Sequence, residues 1–436
     1  MLFLSKKMKK LLLKLLILLG LVSCDNTQQS GSSREVKVDV PNETLLVSSK
    51  GRLANFNLET KKITWEYVSK EDAALNLNRN LFSYDSENIY LPFESGRFIS
   101  AQINSGKLNW NLAPHTTSYM NQAMDVSMDE NGEIQFDEQS SEYVVFMSQP
   151  LIYDEFVYIA SCKRDATNKS KFYIFNKKDG STHLVDENST HYNFFKPVEN
   201  NSNIYTTSAI YLDMHYKHGT FAGYGLYEDA AFENPLYIQI QTNKNRLFFG
   251  DDKGVIYALA VGEIGLKKKG DISDPKNNFI DRKDLFEWKY KSEKYRYVYN
   301  LNTVLTKDFY IVNLRAENEQ NDAIIALNIE NGKEAWIYEN EGQIENWHLV
   351  NDKITAFTND KLFMIDLNGK LLFELPTTDK NLAPISNIEI NNQNNLIYLS
   401  INGIVEVNIE TKKTELIIPY ESEPGGMEQN QIKYFK

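Results

Sequence analysis

Four of the five tryptophans in this 436-residue chain close the same short phrase. The phrase is an apolar strand, a tight turn carrying Gly-Lys or its equivalent, and a second strand ending on Trp. The clearest copy runs from Ala323 through the Asn331-Gly332-Lys333 turn to Trp336. A second runs from Ile99 through Gly106-Lys107 to Trp110, and a third from Leu53 through Lys61-Lys62 to Trp65. The fourth ends at Trp288, after an insertion. Relaxing Trp to another apolar residue adds copies ending at Leu184, Phe373 and Leu416. Of the six steps between the seven end positions, four fall between 37 and 48 residues, close to the ~40–50 residues of a four-stranded propeller blade.

The repeating unit is β. Apolar residues sit at alternate positions within each copy, and β-branched and aromatic residues are prominent. The links carry Gly, Asn, Asp or Lys, as tight hairpins require. The stretch from Arg246 to Leu259, with Asp251-Asp252-Lys253-Gly254 at its centre, reads as a further hairpin of the same unit. One such sheet cannot bury both faces alone, and radial stacking of many sheets does so. The tryptophans Trp65, Trp110, Trp288 and Trp336 are expected on outer strands, plugging the gaps between neighbouring blades. The long step from Leu184 to Trp288 leaves residues 186–234 for one degenerate blade, with the following unit starting near Pro235. An all-β propeller of eight blades is therefore favoured, with seven as the alternative. Insertions are expected at 114–142, which is acidic (Asp129, Glu130, Glu133, Asp137, Glu138), and at 262–284. The domain reading is a signal over 1–23, a tether over 24–35, one propeller over 36–420 and a polar C-terminal tail over 421–436. Residues 36–48 are expected to complete the first or last blade.

The pattern resembles the PQQ-like, quinoprotein-type repeat, over roughly residues 40–420, most clearly in Gly250–Leu259 and Ala326–Trp336. That resemblance implies the fold and no particular chemistry.

The N-terminus points to a compartment. Lysines 6, 7, 9 and 10 precede an apolar run from Leu11 to Val22, broken only by Lys14. This is the charged n-region and short h-region of a secretory signal, too short for a span of ~20 residues. Met8 could open a complete signal as well as Met1. The ending Leu21-Val22-Ser23-Cys24 resembles a bacterial lipobox, which implies cleavage before Cys24 and its lipidation. The polar stretch from Asp25 to Arg34 then reads as a flexible tether. Asp25 leaves the destination open: the periplasmic side of the outer membrane is favoured, with the inner membrane or the cell surface as alternatives.

The formal charge of −12 becomes more negative once the five signal lysines are removed. A surface that acidic argues against nucleic acid as a partner. With Cys24 acylated, Cys162 has no disulfide partner and reads as a strand-borne core thiol.

Chemistry is sparse. Quinoproteins of this repeat family resemble one another in a vicinal cysteine pair, a calcium site and often a C-x-x-C-H haem motif. This sequence contains neither Cys-Cys nor C-x-x-C-H, so no cofactor and no enzyme activity are expected. Asp213, His215 and His218 are the one weak candidate for a divalent metal, with His191 and Glu228 as completions. A polar aromatic loop is the favoured reading of the same residues. Asp271, Asp274, Asp281 and Asp284 do not match a calcium loop. Tyr295, Tyr297 and Tyr299 share one strand face and read as inter-blade packing, with stacking on a sugar or peptide as the alternative.

Lipid-anchored propellers of this kind include the propeller subunit of the Bam outer-membrane assembly machinery. The resemblance implies a non-catalytic scaffold for envelope proteins, with no docking residue transferable. A small-ligand or enzymatic envelope propeller and a toxin-neutralising lipoprotein are the alternatives.

Overall fold

The computed structural model describes residues 38–40, 42–74, 81–112, 126–128, 134–136, 146–161, 171–187, 195–208, 211–216, 234–243, 246–262, 265–266, 286–298, 301–317, 321–423 and 430–436. The signal, Cys24, the tether, Cys162, His191, His218, Glu228, Tyr299 and the insertion aspartates lie outside the described residues.

Eight antiparallel sheets form the blades of a propeller ring. The first blade is composite. Its order from the centre outward is Gln431–Phe435, Thr44–Ser49, Arg52–Asn57 and Lys62–Val68. Blade two comprises Ser83–Tyr84, Asn88–Pro92, Phe98–Gln102 and Leu108–Leu112, and blade three comprises Leu151–Tyr153, Phe156–Ala160, Lys171–Asn176 and Thr182–Glu187. Blade four has three described strands, Val198–Asn200, Asn203–Ser208 and Tyr211–Tyr216. Blade five is built on Leu236–Asn243, Arg246–Asp251, Ile256–Gly262 and Phe286–Tyr290. In blade six both Tyr295–Tyr297 and Thr303–Leu305 pair with Phe309–Ala316, followed by Asn321–Asn328 and Glu334–Glu341. Blade seven comprises Ile344–Val350, Lys353–Thr358, Lys361–Asp366 and Leu371–Pro376. Blade eight comprises Glu389–Ile390, Leu396–Ser400, Gly403–Val407 and Thr414–Pro419.

The sequence pattern accounts for most of this. The middle strands of each blade are covered on both faces and read as continuous apolar runs, such as Ala323 to Leu327, all fully buried. Outer strands alternate, as in Glu334–Glu341. The eight-blade reading holds, and the degenerate stretch 186–234 supplies blade four. Its alternating segment from Asn203 to Asp213 folds as a hairpin rather than one strand. The acidic insertion 114–142 carries a small hairpin of its own, Val126–Met128 with Ile134–Phe136.

One expectation is corrected. Residues 421–436 are not only a polar tail, because Gln431–Phe435 is the innermost strand of blade one. Thr44 pairs with Phe435 and Val47 with Ile432. Ile432, Tyr434 and Phe435 are buried, and their burial outweighs the polar Gln431 and Lys433 beside them. Ring closure therefore joins the chain's last described strand to its first, with Thr44–Ser49 buried along its whole length.

The tryptophans hold the seams. The indole N–H of Trp65 donates to Ile103 O (2.9 Å), Trp110 to Lys177 O (2.9 Å), Trp288 to Ile329 O (3.0 Å) and Trp336 to Leu367 O (2.8 Å), each on the following blade. Each ring lies against a turn glycine of that blade: Gly106, Gly180, Gly332 and Gly369 respectively. A Cβ on Gly106 would come within 2.5 Å of the Trp65 ring, and its φ of +66° already excludes most side chains. In all four blades a register shift falls directly beside the Trp pair, at Asn55/Phe56, Ser100/Ala101, Ala258/Leu259 and Ala326/Leu327. Such bulges re-aim a side chain. Where the outer residue is Phe373 or Leu416, the next blade's left-handed turn residue is a lysine instead, Lys412 (φ 57°) and Lys61 (φ 55°). The fifth tryptophan, Trp347, is buried on the innermost strand of blade seven.

Candidate functional site

The innermost strands face the ring's centre, and polar residues concentrate there. They first serve structure. Gln431 accepts from Phe82 N (2.7 Å) and donates to Phe82 O (3.3 Å), linking blades one and two. Gln149 donates to the same carbonyl from the blade-three side (2.6 Å). Gln239 of blade five accepts from Lys196 N and donates to Lys196 O, both at 3.0 Å. Asn302 donates to Trp347 O (3.0 Å), and Asn387 accepts from Ile432 N (2.8 Å) and donates to Ile432 O (3.0 Å). These amides satisfy backbone groups that no ladder reaches, and they fix neighbouring blades at the channel wall.

Charged groups are then added on three successive blades. His348 lies on the inner strand of blade seven, Glu389 on that of blade eight and Lys433 on that of blade one. Lys433 Nζ is 3.2 Å from Glu389 Oε2. His348 Nε2 is 3.9 Å from Glu389 Oε1, an electrostatic contact too long for a hydrogen bond. The Glu389 side chain is 2% exposed and Lys433 14%, so their pairing satisfies charges that burial would otherwise penalise. Water reaches 46% of the His348 side chain. Desolvation on the channel wall, aided by the positive charge of Lys433, pulls its pKa below the ordinary histidine value. It is a neutral imidazole at pH 7. Across the ring, Lys196 on the approach to the inner strand of blade four is pulled down to about 8 by burial. The arrangement offers a neutral base, a fixed ion pair and amide groups. It can bind a polar group, and no nucleophile accompanies it among the contacts described.

The expected metal residues lie elsewhere. Asp213 and His215 fall on Tyr211–Tyr216 in blade four, two residues apart on one face and both buried. The His215 ring stacks on Phe172 of blade three with centroids 3.9 Å apart, and burial lowers its pKa to about 3. His215 is thus an aromatic packing residue at the blade three–four seam. Among the described residues no group of three or more His, Cys, Asp or Glu is placed to hold a metal ion. Tyr295 is buried and donates to Glu339 Oε1 (2.7 Å), while Tyr297 is half-buried with Lys253 over its ring. Among the described residues no helix is long and apolar enough to cross a membrane.

Sequence reasoning missed His348, Glu389 and Lys433. Lys433 sat in the supposed tail, although the alternation Gln-Ile-Lys-Tyr-Phe was a strand signal.

Residues 33–184 match the family model described as outer membrane protein assembly factor BamB. No curated protein sequence matches the chain. Among solved structures, BamB from Moraxella catarrhalis aligns over 86% of this chain and 94% of its own, at 11% identity and a TM-score of 0.50. Apo AztD from Citrobacter koseri aligns over 91% and 99%, at 10% identity and a TM-score of 0.54. A quinohemoprotein alcohol dehydrogenase from Pseudomonas putida HK5 aligns over 85% and 71%, at 8% identity and a TM-score of 0.57. At these identities the structural likenesses speak for the fold alone. With its tryptophan repeats, its eight blades and these likenesses, the chain is a β-propeller of the PQQ-like repeat type, resembling the propeller of the Bam outer-membrane assembly machinery.

Proposed function

We propose that this chain is a non-catalytic, lipid-anchored envelope protein that works as a protein-binding scaffold in outer-membrane protein assembly. The observation that carries the reading is the match of residues 33–184 to the BamB family model. The lipobox-like ending at Cys24 supports an anchor, and the acidic composition favours protein over nucleic-acid partners. The absence of Cys-Cys and C-x-x-C-H from the sequence separates it from quinoprotein dehydrogenases that share the architecture.

Crosslinking pull-down from envelopes, with membrane fractionation of the same sample, tests the reading. The expected result is recovery of barrel-assembly components with a protein that sediments with the outer membrane. Recovery of none of them from an efficiently crosslinked sample overturns it. Cys24→Ser is expected to abolish palmitate labelling and release the protein from membranes.

A second reading, a small-ligand binder in the central channel, is favoured by the His348–Glu389–Lys433 group. Elemental analysis and mass spectrometry of the purified native protein would find its ligand or metal.

A further inference from the structure

The blades share a register at the channel wall, and one residue departs from it. In six blades the third residue of the second strand marks the same inner-strand position. Tyr158 pairs with Leu151, Tyr205 with Val198, Phe248 with Gln241, Ile311 with Val304, Thr355 with His348 and Leu46 with Lys433. Counting back two residues keeps to one face of a strand. It gives Gln149, Lys196, Gln239, Asn302, Asn346 and Gln431, a belt in which every member but Lys196 is an amide. The other two blades have Leu81 and Ser386 there.

The amides are all engaged. Gln149 and Gln431 bond to the Phe82 backbone, Asn302 donates to Asn346 Oδ1 and to Trp347 O, and Gln239 grips both backbone groups of Lys196. Lys196 is therefore fixed at its backbone, while its side chain holds nothing. Among the described residues the ammonium has no hydrogen bond and no ion pair, and desolvation alone pulls its pKa down to about 8. The residue is only partly buried, so water reaches it. The next level of the wall adds no free charge, because Lys433 is paired with Glu389 at 3.2 Å and His348 is neutral. A desolvated ammonium is costly without a counter-charge. A glutamine here would complete the belt without that cost.

We propose that Lys196 is the counter-charge of a site in the central channel for a small carboxylate, bound at the level of the amide belt. The ammonium would donate a charge-assisted hydrogen bond to one carboxylate oxygen. One cation among neutral amides matches the single charge of a carboxylate. A phosphate dianion would leave a charge uncompensated in the same desolvated place. The chain carries a formal charge of −12, so a free cation on the channel wall is a local reversal of sign that favours an anion there. The inference rests on the second reading, a small-ligand binder in the channel, and supplies the charge class of that ligand.

The test compares the mature protein in potassium acetate, potassium phosphate and potassium chloride at equal ionic strength. Trace reductive methylation with formaldehyde, read lysine by lysine by peptide mass spectrometry, reports how much of each amine is neutral and accessible. Acetate is expected to slow methylation of Lys196 by about fivefold or more against chloride, because a paired carboxylate holds the amine in its charged form. The exposed Lys333 and Lys413 are expected to react equally in both salts, and phosphate is expected to protect Lys196 no more than chloride does. Lys196→Gln restores an amide to the belt. It is expected to be at least as stable as the wild type in chloride and to lose the rise in melting temperature that acetate gives the wild type. Equal methylation of Lys196 in acetate and chloride, equal protection by phosphate, or an acetate effect on melting that survives Lys196→Gln overturns the proposal. Those failures leave the channel reading standing, since mass spectrometry of the native protein finds a neutral ligand or a metal as readily as an acid.

Discussion

The Trp336 indole donates its N–H to Leu367 O at 2.8 Å and rests on Gly369, so a single side chain of blade six is both hydrogen-bonded and packed to blade seven. Trp336→Ala removes that packing and is expected to cost about 3–5 kcal/mol, the range for a large aromatic truncated in a core. Urea unfolding with an unchanged slope would measure it. A midpoint that barely moved would exclude a packing role.

Gly369→Ala approaches the same contact from the other side. Its Cβ would stand 2.7 Å from the Trp336 ring, at a backbone φ of +77°. Overpacking and left-handed strain together predict a loss of about 2–4 kcal/mol. Lys412→Gly, at the equivalent turn of blade eight beside Phe373, meets neither penalty and is expected to be neutral or slightly stabilising. The contrast between the two turns, read in one set of melts, separates the ring contact from backbone preference.

His215 predicts a pH dependence. Burial holds its pKa near 3 in the fold, against an ordinary value of 6.5. Below 6.5 the unfolded chain takes up the proton first, so the stability this residue contributes is complete above 6.5 and is lost as pH falls toward 3. His215→Phe preserves a ring against Phe172 and removes the titration. The difference in stability between wild type and variant is expected to shift in the variant's favour through that window. A constant difference would contradict a buried neutral imidazole.

The channel wall predicts a coupled pair. Lys433→Met strands the buried Glu389 carboxylate and is expected to cost about 3–5 kcal/mol, whereas Lys433→Met/Glu389→Gln recovers much of it. The same Lys433→Met change removes a positive charge acting on His348, so the histidine pKa rises above its native value. Histidine proton chemical shifts followed over pH would report it.

What could be read from sequence was what repeats. The Gly-Lys turn and the Trp four residues later are local, so they announced the outer strands, the seam tryptophans and the blade count. The apolar runs announced the middle strands because those strands are buried on both faces. The innermost strands carry no such signature. Lys433, Glu389 and His348 meet only because blades one, eight and seven are neighbours in a closed ring, and Gln239 grips Lys196 for the same reason. Asp213 and His215 looked like ligands because spacing places both on one strand face. The stacking of His215 on Phe172, a residue of another blade, could not be read from that spacing. The correlation between Trp in one blade and Gly in the next was present in the sequence, but it pairs residues such as Trp65 and Gly106 that become neighbours only when the blades stack.

The composite first blade also sets an order of events in the cell. Thr44–Ser49 is made early, yet its inner edge stays unpaired until Gln431–Phe435 emerges. An apolar strand with an open edge invites pairing with any other chain. Throughout its synthesis the nascent propeller is thus an open arc with one adhesive end, and the strand Gln431–Phe435 decides whether it closes on itself or on a neighbour.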